Sequence, residues 1–391
     1  MQRRAFIRLV GGGIVTAATT PTLTACSSTL APEATAAWQP MPPPATGSDP
    51  RHWILAHALL APHSHNLQSW LVDLRTPGEM RLYCDRTRLL PETDPHARQI
   101  MMSQGTFLEL LDLAARQLGL RADISLFPEG EFDPGQRTGN GQTAHVRLVA
   151  DASVQRDPLF AQVLLRHTNR NPYEARVPDP AALQAIAQAA ALALPTLKTG
   201  FTHDPEASMA TQRAIAQEAW RIELVTPRTI LESYQWLRVG PAEIAQHRDG
   251  ISVNAPLPRT LAALGLFDRS RAPGPNDTAT TSQIKDFATK IAATPAFFWM
   301  VSADNTRTTQ VRAGRAYVRA QLAATAHGLS MHPLQQALQE YPEQAQPYAD
   351  IHRLLGATQP GQTVQMWARL GYGPQVEPAP RRGWQAHVLS A

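Results

Sequence analysis

The stretch Ala61-Pro62-His63-Ser64-His65-Asn66-Leu67-Gln68-Ser69-Trp70 joins an apolar helical segment to an extended one. Pro62 ends the helix, because a proline pushes the residue before it out of the helical region. The polar side chains after it then lie in a helix-to-strand turn, where they can face a ligand instead of the core. The amides of Asn66 and Gln68 offer donors and acceptors, and Trp70 offers a wide apolar face. This set suits a flat ring with polar edges.

A second polar stretch, Leu164-Leu165-Arg166-His167-Thr168-Asn169-Arg170, follows about a hundred residues later. Its two arginines bracket a hydroxyl. Arginine forks bind phosphate oxygens in pairs, and threonine adds one more donor. Taken alone, the same pattern is also typical of a solvated loop or an ion-pair network.

The first stretch resembles the Ala-Pro-Ser-x-x-Asn-x-Gln-Pro-Trp motif of the FMN-dependent nitroreductase superfamily. His63 stands at the family serine and Ser69 at the second family proline, and the matching positions are Ala61, Pro62, Asn66, Gln68 and Trp70. The second stretch resembles the Arg-x-Ser-x-Arg/Lys segment that opens nitroreductase domains. Residues 328–333 and 369–372 continue the resemblance, which covers most of residues 50–385.

The order of the two motifs is the reverse of that in ordinary nitroreductases, where two identical subunits build each flavin site across their interface. The resemblance therefore implies a fused pseudo-dimer with one FMN site between its halves. This arrangement is similar to a branch that carries twin-arginine signals and includes the mycobacterial flavin-sequestering proteins. It implies a monomeric chain with a nitroreductase-like α+β fold of two pseudo-symmetric halves, each a mainly antiparallel sheet packed by helices.

The chain divides into four predicted parts. They are a signal (1–26), a Pro-rich tether (27–50), a first half (51–157) and a second half (158–391) with a helical insertion at about 205–270. Hydrophobic patterns and turn residues predict helices at 52–61, 95–118, 180–192 and 308–327, with Asp94 as an N-cap. Alternating or apolar runs predict strands at 70–76, 80–85, 145–150, 295–301 and 363–370.

Site residues follow from the resemblance, position by position. It places Ser64, Asn66 and Gln68 at the ring edge, and Arg166, Thr168 and Arg170 at the phosphate and pyrimidine side. It brings the backbone around Gly328 toward the reactive nitrogen, and Arg381 or Arg382 toward the phosphate. The resemblance assigns no catalytic acid or base, because the cofactor does the chemistry. Three aromatic residues of the insertion are candidates for a lid or for core packing, namely Trp220, Tyr234 and Trp236.

The N-terminus carries export signals. Arg3-Arg4, followed by Phe6-Ile7-Arg8, resembles a twin-arginine signal, and Leu23-Thr24-Ala25-Cys26 resembles a lipobox. The apolar region between them is too short and too rich in Gly and Thr to span a membrane. We therefore predict a periplasmic or cell-envelope protein, exported folded with its cofactor and anchored to a membrane by a lipid on Cys26.

Charge and cysteine content narrow the classes of function that the chain can have. The 36 basic and 32 acidic residues come close to balance once the arginines of residues 1–25 are removed. Without a basic stripe interleaved with aromatic residues, nucleic-acid binding is not expected. After lipidation of Cys26, Cys84 has no partner for an intramolecular disulfide, and its strand-like surroundings predict a packed thiol.

Three functions fit these observations. The first is an FMN oxidoreductase that passes electrons from a reduced donor to a nitroaromatic or quinone. The second is a protein that stores or shields FMN without turnover, with the insertion covering the ring. The third, less favoured, is a metal-binding protein, because His52, His57, His63 and His65 lie close in sequence although no carboxylate or cysteine completes a ligand spacing.

Overall fold

The computed structural model describes residues 30–133 and 136–390, so the predicted signal and Cys26 lie outside it. Within these ranges no helix is long and apolar enough to cross a membrane. The helices are α1 (Pro32–Thr35), α2 (Arg51–Ala58), α3 (Arg98–Gln117), α4 (Pro180–Ala193), α5 (Glu206–Val225), α6 (Pro227–Gln235), α7 (Gly240–His247), α8 (Pro256–Ala263), α9 (Thr278–Ala292), α10 (Arg307–Ala326) and α11 (Ala345–Leu354). The strands are β1 (Trp70–Asp73), β2 (Glu79–Cys84), β3 (Leu120–Leu126), β4 (Ala144–Ala150), β5 (Lys198–Thr202), β6 (Leu237–Val239), β7 (Ile251–Val253), β8 (Ala296–Ser302), β9 (Ser330–Pro333) and β10 (Thr363–Gly371).

Two antiparallel sheets have the same internal order. The first runs β1-β2-β4-β3 and the second runs β5-β8-β10-β9. In each sheet a long helix follows the second strand, α3 in the first and α10 in the second. The predicted α+β class with two mainly antiparallel sheets is therefore confirmed.

The two long helices cross at a pair of glycines. Gly105 is the eighth residue of α3 and Gly314 is the eighth residue of α10, and each helix has 20 residues. A Cβ atom at Gly105 would lie 1.8 Å from the carbonyl oxygen of Val311, and one at Gly314 would lie 1.9 Å from that of Met102. The contacts are reciprocal, because Met102 and Val311 are both the fifth residue of their helix. Only glycine lets the two backbones approach so closely.

Each core is completed by a helix from the other half. Val311, Val318 and Leu322 of α10 pack into the core of the first sheet. Met102 of α3 packs into the core of the second. The crossing therefore buries apolar surface from both halves and fixes their relative position.

A large helical insertion separates β5 from β8, which are paired neighbours in the second sheet. The equivalent strands β1 and β2 are joined by residues 74–78 alone. The insertion also includes α9, so it extends beyond the predicted end near residue 270. A core that includes Phe287, Phe297 and Trp367 packs it on the second sheet, which accounts for the burial of every residue of β10.

Residues 30–50 do not form a free tether. Ala34 and Trp38 are buried, and Trp38 Nε1 donates to the carbonyl oxygen of Ala379, 2.8 Å away. The prediction of a tether over 27–50 rested on proline content and overlooked this large aromatic anchor. The predicted helix start at Pro95 was also early: α3 begins at Arg98. The carboxylate of Asp94 still caps α3, accepting from the backbone nitrogens of Gln99 and Ile100.

We expect Gly105→Ala and Gly314→Ala each to lower the free energy of unfolding by about 3 kcal/mol or more, because two backbones must separate. Urea unfolding followed by circular dichroism measures this. Gly274→Ala is the control, since its new Cβ would meet only the side chain of Asp277, at 3.3 Å. Equal stability of all three variants would contradict the crossing.

Candidate functional site

The turn at residues 61–70 has an unusual backbone. His65, Asn66 and Gln68 have φ angles of 49°, 53° and 54°, in the left-handed region that residues other than glycine rarely adopt. Each such residue costs free energy and persists only where its surroundings hold it. The contacts of this turn with the rest of the protein are therefore the key to the site.

His63 and Ser69, the two positions that differ from the family motif, contact each other. His63 Nε2 lies 2.6 Å from Ser69 Oγ and accepts from the Ser69 backbone nitrogen at 3.1 Å. His63 Nδ1 lies 2.8 Å from the carbonyl oxygen of Ser64, to which it donates in this arrangement. Burial lowers the pKa of His63 to about 3, so the ring is neutral. His63 thus closes the turn internally.

The C-terminal tail crosses from the second half and locks the turn. Arg381 uses all five of its N–H donors. Nε donates to the carbonyl oxygen of Leu59, one terminal nitrogen to Asn66 Oδ1 and Pro380 O, and the other to the carbonyl oxygens of Leu60 and Ala61, all within 3.2 Å. Beyond it, Val388 pairs with Val72 of β1. The guanidinium thus has no donor left for a ligand and acts as a structural clamp.

The side-chain amides of Gln68 and Asn66 are also used in hydrogen bonds within the protein. Gln68 is fully buried. Its Oε1 accepts from the backbone nitrogen of Arg382 at 2.9 Å, and its Nε2 donates to the carbonyl oxygen of Arg248 at 2.9 Å. Asn66 Nδ2 donates to the carbonyl oxygen of Pro380. Gln68, predicted at the ring edge, therefore holds the tail and the insertion in place.

Arg166 lies beside this clamp. One of its terminal nitrogens donates to the carbonyl oxygen of Leu60, which Arg381 also contacts, and the other donates to Gln321 Oε1. Its Nε is buried and has no hydrogen-bond partner. Trp38 lies near both cations, its ring centroid 5.6 Å from Arg166 and 5.2 Å from Arg381. Cation–π attraction of this kind stabilises desolvated guanidinium groups.

The cluster lacks negative charge. Arg166 and Arg381 are each 3% exposed, and within the described ranges neither they nor Arg170 hydrogen-bonds or ion-pairs with a carboxylate. Burial lowers the pKa of Arg166 to about 10 and that of Arg381 to about 9, where Arg166 adds repulsion. A buried charge without a counter-charge costs several kcal/mol. The arrangement therefore favours an anionic ligand.

Arg170 forms the open side of the cluster. It is exposed, yet the surrounding protein desolvates its guanidinium and lowers its pKa. Burial lowers the pKa of His65 to about 4 and that of His332 well below its usual value, and the charge of Arg170 contributes in both cases. Both rings are hence neutral at pH 7. Arg170 together with two neutral imidazoles offers one cation and several hydrogen-bonding groups to a ligand.

Ser64 and Thr168 also keep bonding capacity toward this side. The hydroxyl of Ser64 makes only long contacts, 3.3 Å to Gln99 and 3.4 Å to His65. Thr168 is half-buried, and its backbone pairs with Met331 beside β9. The two motifs meet where Arg166 of the second half donates to the carbonyl oxygen of Leu60 in the first half.

Gly328 is placed differently. It has a φ of 70°, is exposed, and ends α10 as a left-handed cap, so its geometry is explained without a ligand. His332, at the end of β9, is the residue of that segment whose pKa responds to Arg170. The family resemblance points to Gly328 in this segment and does not point to His332.

Of the three aromatic residues predicted as a lid or as core, Trp236 packs against the core of the first half, to which Leu67 and Trp70 of the turn belong. Trp220 stacks on Phe287 with ring centroids 4.8 Å apart, and Tyr234 is buried, so both belong to packing. The hydrogen bonds to the turn come from Ser233, 3.3 Å from His65, from the backbone nitrogen of Gly250, which donates to Asn66 O, and from the carbonyl oxygen of Arg248, which accepts from Gln68.

Metal-ligand geometry is not seen among the described residues, which contain no group of three or more His, Cys, Asp or Glu suited to an ion. The four clustered histidines have separate partners: His52 packs on Trp384, His57 bonds Trp53, and His63 and His65 bond serines. Burial raises the pKa of Cys84 to about 12, so it remains a thiol.

Comparison with known proteins gives two sequence relatives from Mycobacterium tuberculosis strains, CDC 1551 and H37Rv, each named as an NAD(P)H nitroreductase. Each is 26% identical over 337 residues, which is 84% of this chain and 88% of the relative. No family model matches. The relatives' names support the predicted likeness to the nitroreductase superfamily.

Solved structures align less well. An FMN-dependent nitroreductase from Mycobacterium smegmatis, in complex with NADPH, has a TM-score of 0.38 and 16% identity over 59% of this chain and 96% of its own. A nitroreductase with bound FMN from Desulfitobacterium hafniense has a TM-score of 0.35 and 14% identity, covering 60% of this chain and 98% of its own.

We expect His63→Ser and Ser69→Pro each to lower the free energy of unfolding by about 1–3 kcal/mol, because each leaves a polar partner unpaired. The double variant restores the family residues and removes both partners. It should lose less than the sum of the single losses, as a double-mutant cycle measured by urea unfolding would show. Strict additivity would contradict a direct His63–Ser69 interaction.

Proposed function

We propose that this chain is an FMN-dependent oxidoreductase of the nitroreductase superfamily with one flavin site between its halves. The observation that carries the proposal is the cluster of arginines without carboxylates, Arg166 and Arg170 above all, beside the strained turn. The shared strand order of the two sheets and the reciprocal helix crossing support the fused pseudo-dimer.

The donor set fits FMN. The unpartnered Nε of Arg166 and the guanidinium of Arg170, which the surrounding protein desolvates, suit a phosphate. Ser64, His65 and His332 supply neutral hydrogen-bonding groups for a ring edge. Bound FMN would supply two-electron transfer between a reduced donor and an acceptor. The residues of the site would bind and orient it, and a cation beside the ring favours its anionic reduced form.

The electron donor is proposed from the relatives' names and is a nicotinamide nucleotide. For an exported protein the alternative donor is a membrane quinol or a reduced protein, since free nicotinamide nucleotides are scarce outside the cytoplasm. As acceptors we propose a nitroaromatic or a quinone.

A second function, FMN storage without turnover, is favoured by one observation. Ser233 and Gly250 of the insertion contact the turn directly, so the insertion restricts access to the site. A bound flavin shielded in this way would exchange electrons slowly with bulky partners.

We also propose that the protein is exported through the twin-arginine route, lipid-anchored at Cys26 in the cell envelope, and monomeric. The residues that motivate this are the paired arginines and the lipobox. Cys26→Ala should move the protein from the membrane fraction to the soluble fraction of the envelope, and retention in the membrane would contradict lipidation.

The direct test of function is an anaerobic absorbance spectrum of residues 27–391, reconstituted with FMN, before and after addition of NADH or NADPH. An oxidoreductase predicts a flavin spectrum that bleaches with a nicotinamide donor. Bleaching by dithionite alone would favour storage or another donor. Failure to bind FMN would contradict both functions.

Arg170→Gln should weaken FMN binding about 10- to 100-fold, because it removes a charge-assisted hydrogen bond worth about 1.5–3 kcal/mol. Fluorescence titration of FMN with the apoprotein measures the dissociation constant. Arg147→Gln is the control, since Arg147 is an exposed residue of β4 that pairs with Asp123. Equal affinities of the two variants would remove Arg170 from the site.

A further inference from the structure

The hydroxyl of Tyr317 is a buried donor without a partner. Tyr317 lies on α10 and is 3% exposed, and its Oη has no hydrogen bond. By contrast, the neighbouring Tyr173 donates its hydroxyl to the carbonyl oxygen of Asn169 at 2.8 Å. An unpaired buried hydroxyl costs about 1–3 kcal/mol, so it calls for a ligand or another explanation.

Helical geometry directs Tyr317 to the arginine cluster. Residues four apart share one face of a helix, and Gln321, one turn after Tyr317, accepts from Arg166 and donates to the carbonyl oxygen of His167. The face of α10 that carries Tyr317 therefore meets residues 166–170.

The titration of Tyr317 agrees with this placement. Burial raises its pKa, while the charges of Arg166 and Arg170 act in the opposite direction. The phenol thus stays protonated at neutral pH and can only gain by donating its proton to an acceptor. Two unpaired buried donors, Tyr317 Oη and Arg166 Nε, accordingly occur in the same neighbourhood.

We propose that Tyr317 is a phosphate-binding residue, whose hydroxyl donates to the same phosphate group as Arg166 and Arg170. This deepens the proposed function and rests on it, because the phosphate is that of FMN. It also gives the arginines different roles. Arg381, whose five donors are all used, clamps the turn and does not bind phosphate.

The test is Tyr317→Phe, with FMN and riboflavin as probes, since riboflavin lacks the phosphate. The variant apoprotein should unfold at the same temperature as wild type or slightly higher, because the lost hydroxyl had no partner. Its affinity for FMN should fall about 10-fold, and its affinity for riboflavin should not change. Tyr83→Phe, which removes a hydroxyl from β2 of the first sheet, should leave both affinities unchanged.

The outcomes separate this inference from the proposed function. If wild type binds neither flavin, both are overturned. If wild type binds FMN and Tyr317→Phe binds it equally well, the proposed function stands and the role of Tyr317 is overturned. An equal loss of FMN and riboflavin affinity, or a destabilised apoprotein, would point to packing and also overturn the phosphate contact.

Discussion

The close approach of α3 and α10 at Gly105 and Gly314 is the constraint on which the rest of the structure depends. Each glycine lies against a backbone carbonyl of the opposite helix, so a single methyl group at either position would force the helices apart. The same crossing brings the first-half turn at residues 61–70 close to the second-half segment 166–170. A site assembled from two halves needs their separation to be fixed, and close backbone packing fixes it more firmly than side chains could.

Around that crossing, the protein separates the residues that build the site from those that remain open to a ligand. Arg381 donates to the side chain of Asn66, and Gln68 accepts from the backbone nitrogen of Arg382. Together with the contact between His63 and Ser69, these bonds hold three left-handed residues in place. Arg170, Ser64 and His332 keep bonding capacity on the open side. Precise binding of a flat cofactor requires that the residues contacting it be supported by others that are held rigidly in place.

Sequence reasoning found the elements with strong local signals. The polar turn, the Ala-rich α4 after Asp179-Pro180, and α10 with its glycine cap follow directly from local patterns. It missed β3, β5, β6, β7 and β9. Strands β6 and β7 have three residues each and β9 has four, β5 contains Gly200, and β3 lacks a regular alternation of exposure. Residue types pointed to Arg166 and Arg170 as candidates. They could not show that every donor of Arg381 is used, because four of its five acceptors lie more than 300 residues away in the sequence. Tyr317 was missed for a related reason, since nothing in the sequence of a helix reveals that one hydroxyl lacks a partner.

Phosphate binding by the carboxylate-free arginine cluster is the proposed interaction on which FMN binding depends. Its most direct test compares the dissociation constants of wild-type apoprotein for FMN and for riboflavin. Two or more charge-assisted hydrogen bonds to the phosphate predict a preference for FMN of about 100-fold or more, which should weaken as salt screens the exposed Arg170. Equal affinities for the two flavins would contradict the claim.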